Sequence, residues 1–364
     1  MKKRTAFISL LVFLNLPFFA QSKYKFVYHG PESFLIEGAA FADSVKESPY
    51  DRFPASYKEK VRGPVWSLSK CSAGISVRFV TNSPAIGVKW ELLRDEKMNH
   101  MAETGIKGVD LYCKTENGWQ YVNTGRPAGK VNEALLISNL KPGTREFRLY
   151  LPLYDGVTKL EIGTDSLSII SKARVNTGKA IVFYGTSITQ DGCASRTGMV
   201  HTSIISRMTG LDVINFGFSG NGRMEAPVAD LMAAIDALFY VIDGTNNMTP
   251  DMIRSNAVPM VEIIRKKRPA APIIFVGELV DERAYFDPEN MGMIASKNKA
   301  LKEELSKMKE KGIKNIYYIE NSMGKGSDHE GTVDGVHLTD LGFSRYADFL
   351  IKQFRKLKMP VKVL

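Results

Sequence analysis

The sequence of 364 residues has only three cysteines, Cys71, Cys113 and Cys193, and no Cys-x-x-Cys pair. At most one internal disulfide can form, which excludes a disulfide-stapled scaffold, and the spacing does not decide whether Cys71 and Cys113 pair. No zinc-finger spacing of cysteines and histidines is present. Hydrophobic residues make up 44% of the chain and charged residues 24%, so a disordered or collagen-like protein is also excluded.

Long apolar runs are scarce as well. The first residues read MKKRTAFISLLVFLNLPFFAQS, which is a basic start followed by an apolar run. Pro17 interrupts the apolar run, which is also short for a membrane-spanning helix of about 20 residues. This order is typical of a signal peptide, which we predict over residues 1–22. No cysteine is available there for lipid attachment. We therefore expect a secreted or periplasmic protein without a stable membrane anchor, with an uncleaved anchor as the alternative.

Basic residues outnumber acidic ones by 49 to 39, which gives a net charge of +10. However, no basic block is interleaved with aromatic residues, as a nucleic-acid surface would need. The densest basic run, residues 265–268, comes directly before Pro269, where a helix should end and cations interact favourably with its dipole. We predict no nucleic-acid partner, whereas attraction to acidic polysaccharides is allowed.

Residues from about 65 to 165 show the two-residue alternation of strands, for example at Ile75, Val77 and Phe79. Turn signals rich in glycine, proline and asparagine separate these runs. Short strands at this spacing predict an antiparallel β-sandwich, jelly-roll-like, over residues 23–172.

From residue 178 onward the pattern changes to apolar runs that alternate with amphipathic helical segments. The runs are residues 180–184, 211–216, 238–242, 272–276 and 316–319. This alternation predicts a flavodoxin-like α/β domain over residues 178–364, with three layers, α/β/α, around a parallel sheet. A polar linker at residues 173–179 separates the two predicted domains.

Four polar segments fall where the predicted strands end or just before the last helix. They are residues 184–190, 215–222, 243–247 and 334–337. Ligands of open parallel sheets bind beyond the carboxyl ends of the strands. Each segment alone is weak: Gly-x-Ser is usually a turn, and neither a Walker loop nor Gly-x-Gly-x-x-Gly is present, so no nucleotide is expected.

Taken in order, the four segments resemble the blocks of the SGNH (GDSL-type) hydrolase family. The resemblance implies that Ser187 is the nucleophile, although Thr186 stands where the family usually has aspartate. It implies that Gly220 donates a backbone N–H to an oxyanion, and that His337 and Asp334 complete a Ser-His-Asp triad.

The third block leaves two candidates for the oxyanion amide. The usual Gly-x-Asn-Asp spacing selects Asn246. A subgroup with an N-terminal β domain is more similar to Asp-x-x-x-Asn-Met, which selects Asn247 before Met248. Residues 108–112 resemble the Gly-x-Asp-Leu-Tyr signature of that β domain, so we favour Asn247 and keep Asn246 as the alternative.

Three further side chains are candidates for substrate binding. His100 could extend into a cleft between the domains, or be a histidine of a surface loop. Arg196 could hold a sugar hydroxyl or an acidic group, or form a structural salt bridge. Glu278 follows the fourth strand of the parallel sheet and could face the site, or be held by structural hydrogen bonds.

The resemblance implies a serine esterase that hydrolyses short-chain esters, most of all O-acetyl groups on carbohydrate, with no metal or other cofactor. A lysophospholipase or general carboxylesterase is the enzymatic alternative. A non-catalytic glycan-binding protein with a vestigial hydrolase fold is the alternative from another class. The sugar, the acetyl position and the oligomeric state are not determined by the sequence.

Overall fold

The computed structural model describes residues 24–364, and the predicted signal peptide lies outside the described residues. Between residues 24 and 364, no helix combines the length and the apolar character needed to cross a membrane. All three cysteines are free thiols, so Cys71 and Cys113 do not form a disulfide.

The N-terminal part consists of antiparallel strands and two short helices. In chain order these are β1 (Phe26–His29), β2 (Leu35–Glu37), α1 (Gly63–Ser69), β3 (Ser76–Thr81), β4 (Ile86–Leu92), α2 (Glu103–Ile106), β5 (Val109–Thr115), β6 (Gly118–Gly125), β7 (Val131–Ile137), β8 (Arg145–Tyr150), β9 (Val157–Asp165) and β10 (Ile170–Lys172). One sheet has the order β1-β9-β4-β7, and the other has the order β10-β3-β8-β5-β6, with β2 also paired to β3. Alternate side chains, such as Val77, Val88 and Leu149, fill the core between the sheets.

The start of the predicted strand region is wrong, because residues 65–69 belong to helix α1. Pro64 lies in the first turn, where its missing N–H has no intrahelical partner to lose. Val65 and Ser69, four residues apart, are the buried positions, which is the helical period rather than the strand period. Val65 packs with the core of the C-terminal part and not with the sandwich.

The C-terminal part is a five-stranded parallel sheet covered by helices on both faces, as predicted. Its elements are β11 (Ile181–Gly185), α3 (His201–Thr209), β12 (Val213–Gly217), α4 (Ala226–Ala234), β13 (Phe239–Asp243), α5 (Pro250–Lys267), β14 (Ile273–Val276), α6 (Pro288–Glu310), β15 (Ile316–Ile319) and α7 (Asp340–Lys356). The strand order is β12-β11-β13-β14-β15, that of a flavodoxin-like sheet.

The apolar strands of this sheet are buried on both faces, because each strand sends alternate side chains to opposite layers. On β11, Val182 and Tyr184 join the core formed with α4, α5 and α6. Ile181 and Phe183 join the core formed with α3 and α7. The central strands therefore read as continuous apolar runs in the sequence.

The register of the sheet brings the polar loops together. Gly185, the last residue of β11, pairs with Gly217 at the end of β12 and with Asp243 at the end of β13. Three loops thus begin at the same level on the carboxyl edge of the sheet. This common edge is where the candidate functional residues lie.

The two parts of the chain share buried contacts. Arg52, from the N-terminal part, is only 2% exposed, and its guanidinium donates to the carbonyl oxygens of Asn215 and Gly217 at 3.1 and 2.7 Å and of Leu68 at 2.6 Å. Burial lowers the pKa of Arg52 to about 10, so the group is still charged at neutral pH. Phe53 packs beside it in the core of the parallel sheet.

Candidate active site

Ser187 lies in a tight turn directly after β11. The N–H of Gln190 donates to the carbonyl oxygen of Thr186 at 2.9 Å, and the N–H of Gly192 donates to that of Ser187 at 2.8 Å. Ser187 is 8% exposed. The turn therefore fixes the Ser187 hydroxyl at the carboxyl edge of the sheet, with little contact to solvent.

Two residues of this turn have the left-handed backbone conformation, which residues with a side chain rarely adopt. Asp191 has a φ of +72° and Cys193 a φ of +75°. Such strain costs on the order of 1–3 kcal/mol and persists where the surroundings hold it. Asp191 is held by buried contacts to Asn215 Nδ2 at 2.8 Å, Thr202 Oγ1 at 3.2 Å and His201 Nδ1 at 3.2 Å. Burial raises the pKa of Asp191, although its contact with His201 opposes this.

Asp334 and His337 lie in a hairpin-like loop directly before α7. The N–H of Val333 donates to the carbonyl oxygen of His337 at 2.8 Å, and the N–H of Thr339 donates to that of Gly331 at 3.0 Å. The Thr339 hydroxyl also caps the first turn of α7. The loop is thus anchored at its base, and its two functional side chains project from the closed end.

The structure brings Ser187, His337 and Asp334 into one hydrogen-bonded chain. Ser187 Oγ lies 2.8 Å from His337 Nε2, and His337 Nδ1 lies 2.7 Å from Asp334 Oδ2. Asp334 Oδ1 accepts from the backbone N–H groups of Val336 and His337, at 3.0 and 2.8 Å. An imidazole placed in this way can take the proton of the hydroxyl while the carboxylate holds its other nitrogen.

The carboxylate is ionised at neutral pH. Partial burial alone would raise the pKa of Asp334, but the hydrogen bonds from the His337 side chain and from the two backbone N–H groups outweigh it, so the pKa falls below its ordinary value of 3.8. Asp334 is therefore a permanent acceptor for the Nδ1–H of His337 over the pH range in which imidazoles titrate.

The loop after β12 packs closely against residues 186–193, the turn that carries the predicted nucleophile Ser187 (the nucleophile turn). A Cβ at Gly222 would lie 2.2 Å from the carbonyl oxygen of Gly185, so only glycine permits this approach. Gly220 is exposed and has a φ of +67°. Within residues 24–364, neither the N–H of Gly220 nor that of Ser187 has a hydrogen-bond acceptor.

The loop after β13 carries both candidate amides, and only one of them contacts the loop of Gly220. Asn247 Oδ1 accepts from the N–H of Gly222 at 3.2 Å, and in the described part of the chain Asn247 Nδ2 has no acceptor. Asn246 Oδ1 is buried and has no partner among the described residues. This contact favours Asn247 as the oxyanion donor, and the choice between Asn246 and Asn247 stays a prediction.

His100 lies beside the catalytic candidates, although it belongs to the N-terminal part. Its ring centroid is 5.8 Å from that of His337, and the side chain is exposed. Its Nδ1 lies 3.0 Å from Asn99 Oδ1. The next residue, Met101, packs in the core of α3 and α7 and so anchors this segment to the C-terminal part. The N-terminal part therefore contributes a side chain to the mouth of the site.

The structure does not bring Arg196 to the Ser187 hydroxyl. Its Nη1 donates to Asp110 Oδ2 and to Tyr112 Oη, each at 2.8 Å, and its guanidinium stacks on Tyr121 at 3.8 Å. Asp110 and Tyr112 belong to the Gly-x-Asp-Leu-Tyr segment on β5. Arg196 thus forms a structural salt bridge between the two parts, the alternative given for it above, and a substrate role for Arg196 stays a prediction.

Glu278 is also held by structural contacts. It is 7% exposed, its Oε1 forms a 3.0 Å ion pair with Lys297, and its N–H donates to Asn298 Oδ1 at 2.8 Å. Burial raises the pKa of Glu278, and Lys297 opposes this. These contacts agree with the structural role given above as the alternative for Glu278, and substrate binding by Glu278 stays a prediction.

Gln190 is a functional candidate that the sequence patterns do not single out. Its Oε1 accepts from the N–H of Ser219 at 2.8 Å, and its Nε2 donates to the carbonyl oxygen of Leu153 at 3.3 Å. It therefore ties the nucleophile turn to the Gly220 loop and to the N-terminal part. The partners are 29 and 37 residues away in sequence, so no local motif could have revealed this role.

Comparison with protein families covers most of the described chain. The profile of the GDSL-like lipase/acylhydrolase family matches residues 178–355. The profile of the N-terminus of SGNH-hydrolase-type esterases matches residues 26–170. A search of curated protein sequences finds no match.

Several solved structures are similar over nearly the whole chain. A Bacteroides ovatus protein described as a GDSL-like lipase is 35% identical, with a TM-score of 0.88 over 93% of this chain and 99% of that one. The salicylyl-acyltransferase SsfX3 of a tetracycline biosynthetic pathway is 15% identical, with a TM-score of 0.76 over 93% and 99%. A family two carbohydrate esterase from Cellvibrio japonicus is 12% identical, with a TM-score of 0.60 over 92% and 97%.

The last two similarities establish a common fold, and the first also establishes a common family. Together with the two profiles, they show that the chain belongs to the GDSL-like (SGNH) lipase/acylhydrolase family, in the form that carries the N-terminus of SGNH-type esterases.

Proposed function

We propose that the protein is an exported serine esterase that removes short acyl groups, above all O-acetyl groups, from carbohydrate. The observation that carries the proposal is the chain from Ser187 Oγ through His337 to Asp334, with both links at 2.8 Å or less. A vestigial glycan-binding protein would have no need to keep this arrangement at hydrogen-bonding distance.

In the first half of the reaction, Ser187 Oγ attacks the ester carbonyl carbon while His337 Nε2 takes the hydroxyl proton. Asp334 accepts the Nδ1–H of His337 and stabilises the imidazolium that forms. The tetrahedral intermediate then collapses, and His337 Nε2 returns the proton to the departing alkoxide. The products are the free alcohol and an acyl group on Ser187.

Negative charge develops on the carbonyl oxygen during this step. The N–H groups of Ser187 and Gly220 and the Nδ2 of Asn247 are donors without acceptors in the described chain, so they are available to that oxygen. Gly222 holds Asn247 Oδ1 and thereby leaves the amide nitrogen free to donate. Donors fixed before the reaction stabilise the transition state without reorganisation.

In the second half, water takes the place of the alcohol. His337 Nε2 removes a proton from the water, the hydroxide attacks the acyl carbon, and the same donors stabilise the second tetrahedral intermediate. Collapse returns the proton to Ser187 Oγ and releases the carboxylic acid. Every step uses side chains and backbone N–H groups of this chain, together with water.

Two observations support a carbohydrate ester as the substrate. The loops after β12 and β13 carry partly exposed polar side chains, namely Ser219, Arg223 and Asn247, which suit an alcohol rich in hydroxyl groups. The fold is shared with family two carbohydrate esterases and with an acetyl xylan esterase from Butyrivibrio proteoclasticus, at TM-scores of 0.60 and 0.56. Export rests on the basic and apolar pattern of residues 1–22.

The test is release of acetate from a panel of acetylated xylans and oligosaccharides by the wild-type enzyme and by Ser187→Ala. We expect the variant to lose activity by about 10³-fold or more, because removal of the nucleophile disables the whole triad, and to keep the melting temperature. Ser306→Ala is the matched control, since Ser306 is an exposed serine on α6.

Three outcomes would contradict parts of the proposal. Retention of more than about a hundredth of the rate by Ser187→Ala would remove Ser187 as nucleophile. Turnover of lysophospholipids in preference to every acetylated glycan would favour the lysophospholipase alternative. Binding of glycans without any ester hydrolysis would favour the vestigial, non-catalytic one.

A further inference from the structure

Four metal-ligating side chains converge next to the Ser187–His337 pair. One ligand atom each of His100, Cys193, Asp334 and His337 lies within 4.8 Å of the other three. They come from three separate stretches: the N-terminal part, the nucleophile turn and the loop before α7. The fold, and not one local motif, therefore brings them together.

The backbone segments that carry His100 and Cys193 are held by contacts that need no metal ion. The segment that carries His100 is fixed upstream by Asp155, whose carboxylate accepts from three consecutive backbone N–H groups, residues 94–96, at 2.8–3.0 Å. Downstream it is fixed by Thr104 Oγ1, which donates to the carbonyl oxygen of Ser195 at 2.5 Å. Cys193 is 6% exposed and is held in the left-handed conformation of the nucleophile turn.

Two of the four donors are not used by other contacts. In the described part of the chain, the Cys193 thiol forms no disulfide and no hydrogen bond. His100 has one ring nitrogen on Asn99 and no described partner for the other. Since His100 is exposed, an ion from solvent has a direct path to the cluster.

We propose that His100, Cys193, Asp334 and His337 form a site for a divalent cation of borderline softness, such as Zn²⁺ or Cd²⁺, whose binding reversibly inhibits the enzyme. Imidazole, thiolate and carboxylate are the ligand types that Zn²⁺ takes in proteins, and four of them are the number it prefers. Thiolate selects against Mg²⁺ and Ca²⁺, which prefer oxygen.

Inhibition follows from the identity of two of the ligands. A cation that takes His337 Nε2 removes the proton acceptor of the Ser187 hydroxyl. A cation that takes Asp334 Oδ2 or His337 Nδ1 removes the contact that orients the imidazole and stabilises the imidazolium. This consequence rests on the proposed function. The metal site itself does not, because its ligands converge whatever reaction the protein catalyses.

Binding releases one proton, since the metal ligand is the Cys193 thiolate and the thiol proton passes to solvent.

The probe is Cd²⁺, added to the intact protein at fixed pH. The expected result is a thiolate-to-cadmium charge-transfer absorption in the ultraviolet that saturates in parallel with the loss of esterase activity, and both effects are reversed by a chelator. Cys193→Ser should abolish the absorption and weaken inhibition by at least about tenfold, the lower end of the cost of disturbing a metal site. Each variant is compared with its own rate without metal.

Cys113→Ser is the matched control, because Cys113 is the more accessible of the two other thiols and lies on β5. It should keep both the absorption and the inhibition. Should Cys193→Ser fail to fold, His100→Ala replaces it, since removal of an exposed side chain does not disturb the core. Cadmium affinity should again fall at least about tenfold.

An unchanged inhibition constant in Cys193→Ser or His100→Ala would overturn the proposal, as would the absence of the charge-transfer absorption in the wild-type protein. A protein that lacks esterase activity but shows the absorption, and loses it in Cys193→Ser, would contradict the proposed function while supporting the metal site. The two proposals can thus fail separately.

Discussion

Asn246 and Asn247 are neighbours in the chain, but only Asn247 has a hydrogen bond to the loop of Gly220. We expect Asn247→Ala to lower kcat by about 10²–10³-fold, because removal of one oxyanion donor has this cost in serine hydrolases. Asn246→Ala is the matched control and should lower it by much less. Steady-state kinetics with one acetyl ester decide the point, and a larger loss in Asn246→Ala would transfer the oxyanion role to that residue.

A second residue, Asp243 at the end of β13, should affect the pH dependence of stability. It is buried and accepts from the Tyr346 hydroxyl at 2.7 Å. Burial raises the pKa of Asp243 from 3.8 to about 6, although the Tyr346 hydrogen bond opposes this. The folded state therefore holds the proton more tightly than the unfolded chain, and the free energy of unfolding falls as the pH rises from about 4 to about 6.

Asp243→Asn should remove this loss, because the amide oxygen can still accept from Tyr346 and carries no charge. A pKa raised from 3.8 to about 6 corresponds to roughly 3 kcal/mol, so we expect a gain of up to that size above pH 6 and little change below pH 4. Denaturant unfolding at several pH values measures it, with Asp236→Asn as an exposed control. An unchanged pH slope in Asp243→Asn would contradict the prediction.

Among the elements, β5 and the loop that follows Ser187 are joined through one buried carboxylate. Asp110 Oδ2 accepts from Arg196 and from the N–H of Gly198, both at 2.8 Å, and its Oδ1 accepts from Thr124 at 2.6 Å. Asp110→Ala leaves the half-buried guanidinium and a buried N–H without their acceptor. We expect the free energy of unfolding to fall by about 3–5 kcal/mol, the cost of breaking a buried ion pair from one side.

The control for this prediction is Asp236→Ala, which removes an exposed salt bridge with Lys179 and should cost less than about 1 kcal/mol. Chemical denaturation of the two variants gives the comparison. Equal losses would mean that β5 does not secure the loop.

The regular elements of the parallel sheet could be predicted because each strand is apolar on both faces and each helix is amphipathic. On β11, Val182 and Tyr184 pack in one layer and Ile181 and Phe183 pack in the other. The strand therefore appears in the sequence as a continuous apolar run with polar residues at both ends. Helix α1 could not be predicted in the same way. Its apolar residues are few, and Val65 is buried by the parallel-sheet core, which lies more than a hundred residues further along the chain.

At the scale of the whole molecule, the acyl group should be short. The loops at the carboxyl edge are polar and rich in glycine, and a long acyl chain needs apolar surface that contributes about 0.8 kcal/mol for each buried methylene. We expect kcat/KM to fall along a series of nitrophenyl esters from acetate to octanoate. A rise along the series would contradict the acetylesterase proposal and favour a lipase-like enzyme.

The sequence predicted the blocks of the site, but not the contacts that assemble them. Ser187, Asp334 and His337 stand out because each lies in a short motif at the carboxyl edge of the sheet. Gln190 and Cys193 do not, since their importance arises from partners that only the folded chain brings near. The predicted limits of the two domains, 23–172 and 178–364, stay a prediction.

The burial of Arg52 suggests that the two parts of the chain would stay together even if the segment that connects them were cut. Its guanidinium bonds to carbonyl oxygens of the loop after β12, so the N-terminal part supplies a piece of the interior of the C-terminal part. The connecting residues 174–179, in contrast, are exposed and include Arg174 and Lys179. Trypsin cleavage there should yield two fragments that co-elute in gel filtration and separate only in denaturant. The two parts therefore behave like the subunits of a heterodimer that happen to be joined by one peptide segment.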